Sequence, residues 1–231
     1  MAAHMDRIKL LVVGDPGVGK SAFVNGIVSQ APSPNPSSTI GCNVEVLAFS
    51  YTGRQGHQRD VFLEFWEVGG SSGQRNSRNI FYSNANGLIL VHDLSNRKSF
   101  LNLTKWLREV LNSGRQELTG ISVTGRDKSS DESVSHTHNT GSIPVLVLGT
   151  KEDQSGDVTS NRSARYIGLT EESDVFFCDM NCLQQSQLLP TSSKWNTINT
   201  FLEKVIETRF YPSGRNLTQE SEFWRGRKKV F

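Results

Sequence analysis

Apolar positions along the chain follow two alternating patterns. IKLLVV at 8–13, GLILVH at 87–92 and IPVLVLG at 143–149 are short and almost continuously apolar. Such runs suit strands buried on both faces of a parallel sheet. Between and after them the spacing changes to three and four. Phe23, Val24, Ile27 and Val28 share one helical face, as do Phe100, Leu103, Trp106, Leu107, Val110 and Leu111. Trp195, Ile198, Phe201, Leu202, Val205 and Ile206 repeat the pattern near the end. Segments 44–49 and 61–65 predict a strand pair joined by the polar turn YTGRQGHQRD. This order, with crossover helices, predicts a three-layer α/β domain whose ligand site lies beyond the C-terminal ends of the strands.

Composition narrows the reading. A chain of 231 residues allows one fair-sized domain or two small ones. With 25 basic and 23 acidic side chains the net charge is +2, which gives no argument for a nucleic-acid partner. Cys42, Cys178 and Cys182 are few and odd in number, which disfavours a disulfide framework and suits a reducing compartment. No apolar run approaches the ~20 residues that span a bilayer. The start, MAAHMDRIK, has neither a signal-peptide core nor a glycine for myristoylation, and the end, GRKKVF, has no cysteine to prenylate. The expectation is a soluble cytoplasmic protein with no lipid anchor of its own. Residues 113–142 are rich in Ser, Gly, Thr and charge and predict a partly disordered insertion. The basic tail 211–231, with scattered aromatics, reads as a solvated terminus or as a membrane or partner contact.

The chemistry begins at LLVVGDPGVGKSAF, residues 10–23. Gly14-Asp15-Pro16-Gly17-Val18-Gly19-Lys20-Ser21 matches G-x-x-x-x-G-K-[ST] and lies between an apolar strand and an amphipathic helix, as the phosphate-cradle mechanism requires. Backbone N–H groups from the turn and from the helix start at Ala22 would wrap a β-phosphate. Lys20 would add a point charge, and Ser21 a hydroxyl for Mg²⁺. Pro16 lacks an N–H but sits in the variable part of the loop.

Three further segments follow: SSTIGCNVEV at 37–46, FWEVGGSSG at 65–73 and LGTKEDQ at 148–154. In this order the set resembles the small Ras-like GTPases, specifically the Rab branch and its unprenylated Rab-like offshoot, over residues 7–210 apart from the insertion. The resemblance implies a P-loop small-GTPase fold with a mostly parallel six-stranded sheet and helices on both faces. It implies GTP and GDP as ligands with Mg²⁺. Thr39 in switch I would coordinate Mg²⁺ and meet the γ-phosphate. Glu67, where the family carries aspartate, would hold Mg²⁺ through water. Gly70 in switch II would offer its N–H to the γ-phosphate, so Lys20, Thr39 and Gly70 form the catalytic set. Thr150, Lys151 and Asp153 would form the base-reading loop, with Asp153 accepting from guanine N1 and N2. Asp179, Met180 and Asn181 would supply the remaining base-contacting turn. Implied partners are effector or regulatory proteins at the two switches and a possible homodimer. Members of this group are linked to the handling and prenylation of other small GTPases.

The pattern breaks in two places. Ser71 stands where the family carries a water-orienting glutamine, so hydrolysis should be slow unless Gln74 or a partner substitutes. Thr150 replaces an asparagine whose amide ties the base loop to the phosphate loop, which predicts looser binding and faster exchange. An alternative therefore stands beside the slow switch: a nucleotide-loaded scaffold that never switches. An ATPase or kinase is disfavoured by Asp153. His136 and His138 read as solvated histidines, Cys178 and Cys182 as buried thiols, and His92 as a core-edge histidine. The stripe containing Trp106 reads as core packing.

Overall fold

A computed structural model describes residues 5–31, 36–53, 56, 58–113, 143–156 and 175–211. Beyond Ser113 the expected insertion, including His136 and His138, lies outside the described residues, as does the tail beyond Tyr211.

The chain runs β1 (Asp6–Val13), α1 (Lys20–Val28), β2 (Cys42–Thr52) and β3 (Gln58–Val68). Short turns and a one-turn helix, α2 (Arg75–Arg78), then lead to β4 (Gly87–Asp93). α3 (Arg97–Leu101), α4 (Leu103–Ser113), β5 (Val145–Thr150), β6 (Val175–Asp179) and α5 (Ser193–Phe210) follow. The six strands form one sheet in the order β2-β3-β1-β4-β5-β6. β2 is antiparallel to β3, and every other pair is parallel. Both hairpin strands reach further than the apolar cores predicted them, because ladder bonds continue from Phe49↔Val61 out to Thr52↔Gln58.

Alternation along the central strands divides the core into two layers. Ile8, Leu10 and Val12 face α1 and α5, packing with Phe23, Ile27, Phe201 and Val205. Leu11 and Val13 face the other way, against Tyr82, Trp106, Leu107 and Val110. The near-continuous apolar runs have this cause: both faces of the inner strands are covered. α5 starts where the Ser192 hydroxyl accepts from Lys194 N–H at 3.1 Å, and it buries Ile198, Phe201, Leu202, Val205 and Ile206. Each such side chain contributes about 1.5–3 kcal/mol on burial. The single helix predicted from Phe100 to Leu111 divides at Asn102, although Lys105 and Trp106 N–H both still bond to Asn102 O. Val13, Val68, Asp93, Thr150 and Asp179 all end strands near the same edge of the sheet, which brings the candidate residues together.

Candidate functional site

The turn between β1 and α1 leaves the C-terminal end of a central strand. Gly19 precedes the helix at φ 95°, a left-handed conformation that side chains resist. α1 then opens with no side-chain cap and no acidic residue in its first turn. Its first amides are left for an anion, and no acidic side chain of its own first turn competes with one. Lys20 Nζ is folded back onto the carbonyls of Gly14 and Asp15, at 3.0 Å each, and the residue is 5% exposed. Burial lowers its pKa to about 8, against the opposing pull of Glu67 and Asp15 and with a small push from Arg78.

Ser21, Thr39 and Glu67 converge from α1, the loop before β2 and the end of β3. Ser21 Oγ donates to Glu67 Oε1 at 2.6 Å and Thr39 Oγ1 to the same atom at 2.8 Å, the two hydroxyl oxygens being 3.5 Å apart. Glu67 is 2% exposed, and its Oε2 is buried without a hydrogen-bond partner. A desolvated carboxylate oxygen with nothing to satisfy it is costly, so this set of hard oxygens fits a Mg²⁺ ion. Among the described residues, no group of three or more His, Cys, Asp and Glu marks another metal site.

Gly70 lies directly against the phosphate loop: a Cβ there would come within 2.6 Å of Gly14 O and Pro16 N. Only glycine permits that approach. Ser71 beside it is exposed. Gln74 does not stand free as its substitute, because its Oε1 accepts Gly41 N–H at 3.2 Å while Gly69 N–H donates to Gly41 O at 2.9 Å. These bonds stitch the segment after Thr39 to the segment around Gly70.

The structure extends one expectation, since Trp106 is buried in the core as read, and corrects another. Trp106 is more than core packing: its Nε1–H donates to Asp15 Oδ1 at 2.8 Å, and Asn102 Nδ2 donates to Asp15 Oδ2 at 2.7 Å. α4 thereby grips the phosphate loop. Nor does Thr150 release that loop. Its hydroxyl bonds to Val18 O and lies 3.1 Å from His92 O, at 1% exposure. The short side chain reaches because the β5 terminus lies close under the loop, with Thr150 side-chain atoms 3.2–3.4 Å from where a Gly19 Cβ would sit. The tie thought lost with the asparagine is remade by a hydroxyl.

The remaining predicted positions sit at the ends of β5 and β6. Lys151 adopts φ 56° and its Nζ pairs with Asp93 Oδ2 at 2.7 Å. Burial would raise the Asp93 pKa, but bonds from Lys151 and Ser95 outweigh it and hold the carboxyl low. Asp153 is exposed on the next turn. Met180 N–H donates to Gly149 O at 2.8 Å and Glu152 N–H to Met180 O at 3.3 Å, which sets the two loops side by side. Met180 is fully buried in the core, with its backbone N–H and C=O both taken by that pairing, so it ties the two loops together rather than facing a ligand. Asn181 N–H is held by Gln187 Oε1 at 2.9 Å, and Lys194 Nζ bonds to Asp179 O and to Glu152 at 3.0 Å. His92 is 3% exposed within β4. Cys178 and Cys182 are free and buried, and burial pushes their thiols up to about 11 and about 12. Asn102, Trp106, Arg78, Glu109 and Gln187 were not singled out by sequence for the site. For Asn102, Trp106 and Glu109 the spacing of four and three into α4 was the trace, and Arg78 and Gln187 left none.

Comparison with known proteins adds kinship to this geometry. The Roc family, described as Ras of Complex, Roc, domain of DAPkinase, matches residues 9–127. Rab-like protein 3 of Xenopus laevis is 38% identical over 220 residues, 93% of this chain and 91% of that protein. Rab-like protein 3 of Homo sapiens is 36% identical over 214 residues, 90% and 88% of the two chains. Small GTPase-like protein LIP2 of Arabidopsis thaliana is 38% identical over 214 residues, 88% of this chain and 59% of its own length.

Proposed function

The chain belongs to the Rab-like small GTPases, and we propose that its domain at 7–210 binds GTP and GDP with Mg²⁺ and hydrolyses GTP slowly. The observation that carries this reading is the Glu67 carboxylate, with one oxygen taking both the Ser21 and Thr39 hydroxyls and the other buried without a partner. Bound Mg²⁺ would neutralise phosphate charge there. Lys20 would leave the Gly14 and Asp15 carbonyls for the phosphate oxygens, regaining full charge as it does so. Gly70, already against the loop, would turn its N–H to the γ-phosphate. Asp153 would accept the two donors of guanine N1 and N2, which adenine lacks. Asn181 N–H would pass from Gln187 to the guanine O6.

Ser71 is too short to orient an attacking water as a glutamine does, and Gln74 is engaged by Gly41. Slow turnover follows, on the order of 10²-fold or more below a chain with that group in place. Order at the two stitched loops would then follow the γ-phosphate, and effector or regulatory proteins would read it. The protein would act in the cytoplasm, possible self-association included, and in the handling or prenylation of other small GTPases. The second reading, a loaded scaffold that does not switch, rests on the exposed Ser71.

The test is to identify by chromatography, after denaturation, the nucleotide that co-purifies, and then to time conversion of loaded GTP. GTP that persists for hours with Mg²⁺ supports a slow GTPase. GDP with fast turnover would show that another group replaces the glutamine. A folded chain that takes up no guanine nucleotide sinks the reading.

A further inference from the structure

Arg78 is a buried cation that the nucleotide chemistry above does not use. It lies on α2, 5% exposed, with four hydrogen bonds recorded for its guanidinium. Nε and Nη2 donate to the two carboxylate oxygens of Glu109, at 2.6 and 2.8 Å. Nη1 donates to Ser71 O at 3.2 Å and, more weakly, to Gly69 O at 3.5 Å. Tyr82 OH also donates to Glu109 Oε1, at 2.8 Å. Burial alone would lower the Arg78 pKa, but the Glu109 bonds raise it, so the charge is held.

With its donors engaged, the guanidinium is an anchor rather than a group free to reach a phosphate. What it anchors is the backbone on both sides of Gly70. Gly69 O and Gly70 N–H belong to one planar trans peptide and point in opposite directions. Drawing Gly69 O toward Arg78 therefore turns Gly70 N–H away from it. Gly70 abuts Gly14 and Pro16 of the phosphate loop, where the γ-phosphate is expected.

α4, which carries Glu109, also holds that loop. The Arg78 guanidinium carbon lies 4.1 Å from the Trp106 ring centroid, while the Trp106 N–H edge bonds to Asp15. Asn102, directly before α4, and Trp106 and Glu109 on it lie four and three residues apart, and the Trp106 backbone N–H bond to Asn102 O carries the helical turn back to Asn102, so the three share one face. That face grips the phosphate loop through Asn102 and Trp106, and switch II through Trp106 and Glu109.

We propose that Arg78 is the positioning residue that presents Gly70 N–H to the γ-phosphate, and that Trp106 couples it to the phosphate loop, so that this relay sets the preference for GTP over GDP. The proposal rests on the guanine-nucleotide reading above. A residue that merely stabilised the fold would weaken both nucleotides alike; one that acts through Gly70 weakens only the ligand that has a γ-phosphate.

The experiment is competition of the full chain, with Mg²⁺, for fluorescent GDP by unlabelled GDP and by a hydrolysis-resistant GTP analogue. Arg78→Ala is expected to weaken the analogue about tenfold or more, the weight of one charge-assisted contact, and GDP by no more than about twofold. Arg78→Lys should restore part of the difference. Trp106→Phe keeps the ring face under Arg78 but loses the N–H to Asp15, and as a break in the relay it should weaken the analogue more than GDP; equal loss of both would remove Trp106 from the relay. If Arg78→Ala does not fold, Glu109→Gln loosens the same anchor with the shape kept, and the same ratio is read. Equal loss of both ligands in Arg78→Ala or Glu109→Gln, or no loss, overturns the relay alone. A wild-type chain that binds neither nucleotide overturns the functional reading and the relay with it.

Discussion

At the phosphate end of the site Lys20 and Glu67 are buried, and Ser21, Thr39, Asp15 and Gly70 are held by partners from α4, β3 and the adjoining loops. At the base end Asp153 is exposed on a one-turn segment, and the Asn181 amide is held by Gln187, a side chain of its own loop. Both ends use strand termini, so the difference lies in how many elements hold each side chain. A site gripped from several elements is set in shape before the ligand arrives, which is where charge on phosphate is best met. Asp153, exposed on its turn, is left to adjust, and the proposed reading gives it the choice of base. The phosphate end should therefore govern affinity and the base end selectivity.

The largest effect that could break this contrast is at Lys20. Lys20→Ala is expected to weaken GDP and GTP together by about 10³-fold, since the loop loses its one buried cation against phosphate charge. Nucleotide retained with near wild-type affinity on gel filtration would remove the phosphate end from control. Asp153→Asn should lower the affinity for GDP by about 10²-fold while leaving a nucleotide that lacks the 2-amino group nearly unaffected, because mainly the paired donors of guanine are penalised. A parallel loss for both would mean that the carboxylate supports the loop rather than reading the base.

Thr150→Val tests the joint between the two ends. The valine has the shape of threonine but no hydroxyl, so the Val18 carbonyl loses its buried donor at about 1–3 kcal/mol. Thermal stability should fall and the GDP off-rate should rise about tenfold. An unchanged off-rate would show that the two ends act independently.

The smallest effect is a proton. Burial pushes the Lys20 ammonium down to about 8 from its ordinary 10.5, so between these values the unfolded chain binds more protons and stability rises with pH. Phosphate would restore the charge. Calorimetry at about pH 9 in buffers of different ionisation heats should record uptake of up to about one proton on GDP binding, falling toward zero by about pH 7. No uptake at the higher pH would mean that Lys20 does not meet phosphate.

The sequence by itself determined the elements and their chemistry. Apolar runs covered on both faces, helical stripes at three and four, and a glycine-rich turn ahead of Lys20 and Ser21 are local patterns, legible because strand and helix periods repeat within a few residues. The order of the four motifs placed Thr39, Glu67, Gly70 and Thr150 near strand ends in the same way. Only the tertiary structure decided how they are held. Asp15 meets Trp106 across 91 positions, Thr150 meets Val18 across 132, and Arg78 meets Glu109 across 31. Sequence reading took Trp106 for core and Thr150 for a lost tie because a residue type tells what a side chain can donate, not what lies opposite it. The distance from the β5 terminus to the phosphate loop, which lets a hydroxyl serve where an amide was expected, is set by how the sheet packs against α1 and α4. No local pattern encodes it.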